Sequence, residues 1–158
     1  MNVFEINTEL LDEFSDALWL EDGLSRNTLE SYCNDLRQFS LWLEKSSNIN
    51  LIDAGHSDLL EFLAYKVSVK VKASTTSREL SSLKRFYRFL LRQGRIQVDP
   101  SLNISAPKLS RNLPKNLTEK DVVVLLNTPD VKQPIGLRDR TMIEVLYASG
   151  LRVSELVN

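Results

Sequence analysis

Residues 75–95 read TTSRELSSLKRFYRFLLRQGR. Leu80, Leu83, Phe86, Tyr87 and Leu90 recur at helical spacing and predict one apolar face. Lys84, Arg88 and Arg92 recur every four residues on roughly the opposite side, and Arg85 and Arg95 widen that basic stripe. Thr76 and Glu79 have the spacing of a capping box at the start, and Gly94 stands just past the end, near Gln93. A helix with so wide an apolar side must be covered by other elements.

The chain before it supplies three more helices. Asn7 or Thr8 is expected to cap a helix running to about Leu20, with Leu10, Leu11, Phe14 and Leu18 inward. Ser25 caps a second to about Lys45, whose apolar series is Leu29, Tyr32, Cys33, Leu36, Phe39 and Leu43. Ser57 is expected to cap a third, carrying Leu59, Leu60, Leu63 and Tyr65–Val67. Residues 1–107 therefore read as a four-helix domain. VDPSLNISAPKLSRNLPKN, residues 98–116, holds three prolines and reads as a linker.

Residues 108–158 begin a second domain. Thr118 with Asp121 signals a short helix over VVVLLN, halted near Pro129, with strand as the alternative for Val122–Val124. GLRDRTMIEVLYASG reads as a helix with Met142, Ile143, Leu146 and Tyr147 apolar, and another begins near Arg152 or Val153. Two or three helices are too few to bury a mature core.

Composition narrows the function classes. The chain is 42% hydrophobic and 26% charged, as globular proteins are. It has no run of 18 apolar residues and no signal-peptide pattern, so neither a membrane span nor export is expected. One cysteine, Cys33, gives no disulfide framework, and a reducing cytoplasm is the expected location. Cys33 is expected to be a small core hydrophobe, and His56, the only histidine, a satisfied or exposed side chain; no metal site is expected. Trp19 and Trp42 are expected to pack between helices, and none of the four tyrosines presents itself as an activated nucleophile.

The net charge of -1 hides an asymmetry: residues 1–60 hold 3 basic and 12 acidic side chains, and residues 61–95 hold 9 and 2. Local charge, not the total, decides what a surface attracts. Arg78, Lys84, Arg85, Arg88 and Arg92 are the candidate phosphate contacts. Three readings fit this stripe: a solvated face, a nucleic-acid surface, or a partner for acidic protein, including the chain's own first half. Arg152, between ASG and VSEL, is a candidate phosphate ligand, because a guanidinium can hold two phosphate oxygens at once. Glu155 can orient it or reach back as a cap, and a plain surface pair is the simpler alternative.

The order of these stretches resembles the tyrosine recombinase, or phage integrase-like, family, and its XerD-type members in particular. The resemblance rests on LDEFSDALWLEDGLSRNTLESYCNDLRQFSLWL, SSLKRFYRFLLRQG, DPSLNISAPKLSRNLPKNLTEKDVVVLL and LRDRTMIEVLYASGLRVSELVN, and covers essentially the whole chain. It implies an all-α chain here: a SAM-like, core-binding domain over residues 1–107, then the first helices of a mixed α/β catalytic domain. It implies transesterification at DNA through a 3′-phosphotyrosyl link, with no metal or nucleotide cofactor. Arg152 matches the family's first catalytic arginine and Glu155 its supporting glutamate. The family's lysine, His-x-x-Arg motif, later His or Trp and nucleophilic tyrosine would all lie beyond Asn158. The chain is thus expected to be an N-terminal fragment that binds duplex DNA without cutting it. In the full-length protein the implied partners are a related XerC-type subunit in a heterotetramer and a DNA translocase of the division machinery, in chromosome-dimer resolution. A non-enzymatic DNA-binding module and a helical protein-interaction domain are the alternatives.

Overall fold

The computed structural model describes residues 3–107 and 116–157, residues 3–6 as backbone only. Every regular element in these residues is a helix. The chain divides into two compact units, Met1–Ser110 and Arg111–Asn158.

The first unit holds α1 (Val3–Asp22), α2 (Arg26–Ser46), α3 (His56–Ser68) and α4 (Ala73–Arg92). Their apolar faces meet in one core. Phe14 sits 5.4 Å from Phe86, edge to face, and Phe39 lies 4.9 Å from Phe62. Leu36, Leu43, Leu59, Leu83 and Leu90 are fully buried around these rings. Each such side chain contributes about 1.5–3 kcal/mol by leaving water. Tyr87 is also fully buried, and its hydroxyl donates to the Leu51 carbonyl at 2.9 Å.

Ser25 caps α2 as its sequence predicts, accepting from the Thr28 N–H at 3.4 Å. Three other starts differ from expectation, and at two of them tertiary contacts claim the expected capping side chain. Asn7 is inside α1 and buried; it donates to Ser40 Oγ at 2.7 Å and accepts from the Leu51 N–H at 3.1 Å. Gly55, not Ser57, caps α3, where Asp58 reaches back to accept the Gly55 N–H at 2.8 Å. α4 starts at Ala73, and Glu79 is spent on Lys66 Nζ, 2.8 Å away. Trp42 packs beside Phe39 and Phe62, but Trp19 is exposed: α1 turns it outward from the Leu10–Phe14–Leu18 face. Tyr65 and Val67 are exposed for the same reason on α3.

Part of the expected linker belongs to this unit. Asp99 accepts from the Ser101 N–H and hydroxyl, Ile104 enters the core, and His56 Nδ1 lies 2.9 Å from the Pro100 carbonyl. Residues 108–115 of that stretch lie outside the described residues.

The second unit holds α5 (Glu119–Asn127), α6 (Pro134–Ser149) and α7 (Val153–Val157). Thr118 and Asp121 cap α5 reciprocally, at 3.3 and 2.9 Å, and Val122–Val124 are helical. α6 begins two residues before the expected Gly136, with Pro134 in its first turn, where the fixed φ suits a helix start. A Cβ on Gly136 would lie 2.1 Å from the Asp130 carbonyl oxygen, so only glycine fits there. Gly150 ends α6 in the left-handed region, φ 68°. Among the described residues of this unit none is buried.

Candidate nucleic-acid interface

Ser74, Ser77, Arg78, Ser81, Arg85, Arg88 and Arg92 share the outer face of α4, within an arc of about 100°. The helix is amphipathic enough that packing its apolar side forces all seven outward. Three serines with Arg78 among them occupy the first half of the row, and arginines the second.

The arginines differ in their surroundings. Arg78 Nη1 lies 2.5 Å from Asp35 Oδ2, and Ser82 Oγ donates to the same oxygen at 2.6 Å. Asp35 is buried while half of Arg78 remains exposed. The α2 carboxylate thus fixes Arg78 along the groove between α2 and α4. Lys84 donates to the Ile104 carbonyl at 2.6 Å, which draws it toward the segment after α4. Arg85 pairs with Asp22, Arg92 with Glu21 at 2.5 Å, and Arg95 with Glu13 at 2.5 Å. The acidic first half of the chain therefore does supply partners for the stripe, through α1. Arg88 has no ion pair among the described residues. It lines a cleft of about 310 Å³ with Leu18, Asp22, Arg85, Phe89 and Arg92. Exposed ion pairs contribute about 0–1 kcal/mol, so a phosphate can displace the α1 carboxylates at small cost.

A second row, on α2, escaped the sequence reading. Asn27, Ser31, Asn34 and Gln38 are all exposed and fall within an arc of about 60°. Asp35 points from the flank of this row to Arg78, so the row borders the same groove as the serine end of α4. Asn34 Oδ1 accepts from Arg37 at 3.1 Å, leaving its amide hydrogens outward. Uncharged amides and hydroxyls beside an arginine are the side chains that read base edges. The row's signal in the sequence is the helical spacing of neutral polar residues on the side of α2 away from the Leu29–Leu43 series.

Arg152 stands just before α7, with its side chain 82% exposed. Its N–H donates to Glu155 Oε2 at 2.8 Å and its guanidinium to Oε1 at 3.0 Å. Glu155 thus both caps and orients, two roles the sequence left as alternatives. The remaining guanidinium hydrogens face solvent and can take an anion bidentately. α7 has five residues, so the guanidinium itself, more than a helix field, is the anion-binding element.

Cys33 is buried, and that burial first of all pushes its thiol up from the ordinary range. Among the described residues no acidic, cysteine and histidine cluster could hold a metal, and no helix is long and apolar enough to cross a membrane.

Residues 11–94 match the phage integrase N-terminal SAM-like domain, and residues 115–158 match the phage integrase family. The chain is similar to proteins called tyrosine recombinase XerD. It is 53% identical to that of Pseudomonas aeruginosa over 94% of its own length and 49% of the relative's. It is 50% identical to that of Pseudomonas putida, over 94% and 50% of the two chains, and 48% identical to that of Shewanella oneidensis, over 94% and 49%. The chain spans about half the length of these curated relatives. With the SAM-like match alone spanning more than half its residues, the chain belongs to the phage integrase, or tyrosine recombinase, family.

Proposed function

We propose that the chain is the duplex-binding portion of a site-specific tyrosine recombinase, one that resolves chromosome dimers by cutting and rejoining DNA through a 3′-phosphotyrosyl intermediate. The observation that carries the reading is the α2–α4 face: a row of serines and arginines on one helix, bordered by amides on the next, with Arg78 fixed between them. A helix of this width enters a major groove. Arg78, Lys84, Arg85, Arg88 and Arg92 are its phosphate and base contacts. Residues 1–107 form the core-binding domain and residues 108–158 open the catalytic one.

In that reaction Arg152 holds non-bridging oxygens of the scissile phosphate and stabilises the charge of the pentacoordinate phosphorane. Glu155 keeps its guanidinium in place. None of the chain's own tyrosines matches the nucleophile, so these residues bind without cutting. The partners in this reading are a related XerC-type subunit and a DNA translocase of the division machinery, as the family resemblance implies.

Fluorescence anisotropy of the chain on a labelled recombination-site duplex and on a scrambled one, over a salt series, tests the binding role. Binding should weaken steeply with salt, and Arg88→Ala should lower the slope of log K against log salt by about one. No binding at low salt overturns the proposal. In a full-length enzyme, Arg152→Ala should abolish covalent complex formation on a nicked suicide substrate, and Arg152→Lys should do nearly as much harm. Normal complex formation by Arg152→Ala removes the assigned role.

A further inference from the structure

The five cations of the candidate face divide by their partners. Arg85 and Arg92 pair with α1 carboxylates whose side chains are 33% and 46% exposed. Lys84 is drawn to the Ile104 carbonyl, and Arg88 has no ion pair among the described residues. Of the five, Arg78 alone meets a buried carboxylate: the Asp35 side chain is 4% exposed. Ser82, itself fully buried, donates to the same Asp35 oxygen at 2.6 Å. That second bond fixes the carboxylate, and the carboxylate fixes Nη1 of Arg78.

Burying a carboxylate to hold a half-exposed arginine adds little stability, since an apolar pair in its place often does as well. What it does achieve is a guanidinium held still. Asp35 also cancels the charge of Arg78 at hydrogen-bond distance, so the pair adds little to the attraction between this face and a chain of phosphates. The neighbouring Ser74, Ser77 and Ser81 of α4 and Asn27, Ser31 and Asn34 of α2 are uncharged as well. A fixed fork of donors in a neutral setting suits a neutral pair of acceptors. Nη1 is engaged by Asp35, and the edge formed by Nε and Nη2 has no partner among the described residues. Its two parallel N–H groups match two adjacent acceptors. In a major groove guanine alone presents such a pair, O6 and N7; adenine sets a donor beside its N7, cytosine offers a donor, and thymine offers one acceptor beside a methyl group.

We propose that Asp35 is a positioning residue that makes Arg78 the guanine reader of this face. This assignment rests on the duplex-binding role and adds to it a base and the side chain that recognises it.

Fluorescence anisotropy with a recombination-site duplex carrying 7-deazaguanine at each guanine in turn tests it. That base keeps its pairing edge and its phosphate and lacks the N7 acceptor. For the wild-type chain, replacement at one guanine should weaken binding about fivefold or more. In Asp35→Asn the same replacement should weaken it by less than about twofold, because the freed arginine no longer presents a fixed fork. That variant should bind a scrambled duplex as well as the wild-type chain or better, since a negative charge has gone. A merely structural role for Asp35 would instead weaken binding to every duplex alike. In the double variant, Asp35→Asn with Arg78→Ala, no charge is stranded and the response should vanish. Far-UV circular dichroism checks both folds, and the isosteric Asp35→Asn decides alone should the double variant unfold. Three results overturn the assignment: no guanine at which wild-type binding responds, a response that survives in the double variant, which would give the guanine to another side chain, or a full response in Asp35→Asn, which would show Arg78 reading without its buttress. No binding of the wild-type chain to any duplex at low salt refutes the duplex-binding role itself, and the assignment with it.

Discussion

Removing Arg78 should destabilise the first unit more than neutralising the carboxylate it touches. Asp35 is 4% exposed at its side chain, and Arg78 is 52% exposed. Arg78→Ala leaves a buried carboxylate with Ser82 as its one remaining side-chain donor among the described residues, at 2.6 Å. Stranding a buried charge costs about 3–5 kcal/mol, and the surviving Ser82 bond places this case near the lower end. Asp35→Asn keeps the volume and leaves Ser82 an acceptor, while the half-exposed arginine turns to water. That change should cost about 1 kcal/mol. The expected difference is therefore about 2 kcal/mol. Urea unfolding followed by tryptophan fluorescence reads it cleanly, because Trp19 and Trp42 both lie in the first unit. The midpoints should separate without a change in m. The double variant should be more stable than Arg78→Ala alone, since it removes the stranded charge. Equal losses, or a larger loss for Asp35→Asn, would refute the idea that burial of the carboxylate governs this contact.

Asn7→Leu should cost about 1–3 kcal/mol in the same assay, because it strands the Leu51 N–H in the core; a neutral result would mean water replaces the amide. Gly136→Ala should unravel the start of α6, where the new methyl would meet the Asp130 carbonyl 2.1 Å away; loss of amide-exchange protection over α6 would report it. Burial, and then the charges of Asp58 and Asp99, push the Tyr87 phenol far above its ordinary value of 10.0. The folded state thus resists an ionisation that the unfolded chain accepts. Its stability is full below about pH 10 and is lost as pH rises further, so absorbance should show Tyr87 ionising only together with unfolding.

The helices were legible because hydrophobic periodicity is read residue by residue. The Leu80–Leu90 series faces the core as its spacing required, and Thr118 with Asp121 forms the cap its spacing announced. Two of the expected caps failed where a local rule competed with a distant partner, while at α3 the local Gly55–Asp58 pair took the place of Ser57. Asn7 and Glu79 have the chemistry of caps, but Ser40, Leu51 and Lys66, all remote in sequence, claim them first. The candidate interface divides the same way. The arginine row of α4 follows from spacing alone. The burial of Asp35 against Arg78 does not, since it depends on which flank of α2 meets α4. Glu155 was legible as a partner of Arg152 because the two are three residues apart.

The ion pairs along α4 bear on what the basic stripe can do. A bare row of arginines at helical spacing repels itself, and a duplex would relieve that repulsion. In this fold Asp22 and Glu21 already relieve it at Arg85 and Arg92. Those pairs are exposed, so they contribute little stability. Their effect is to lower the net positive field over the second half of α4 until a stronger anion arrives. Weak, non-specific attraction to any polyanion is thereby reduced. A site that also satisfies Arg78 and the amide row of α2 gains contacts that a random duplex does not offer. On the proposed reading, the carboxylates of α1 tune the face toward selectivity, because they subtract from the charge term common to every sequence and leave the base-edge term assigned to α2 and Arg78 intact.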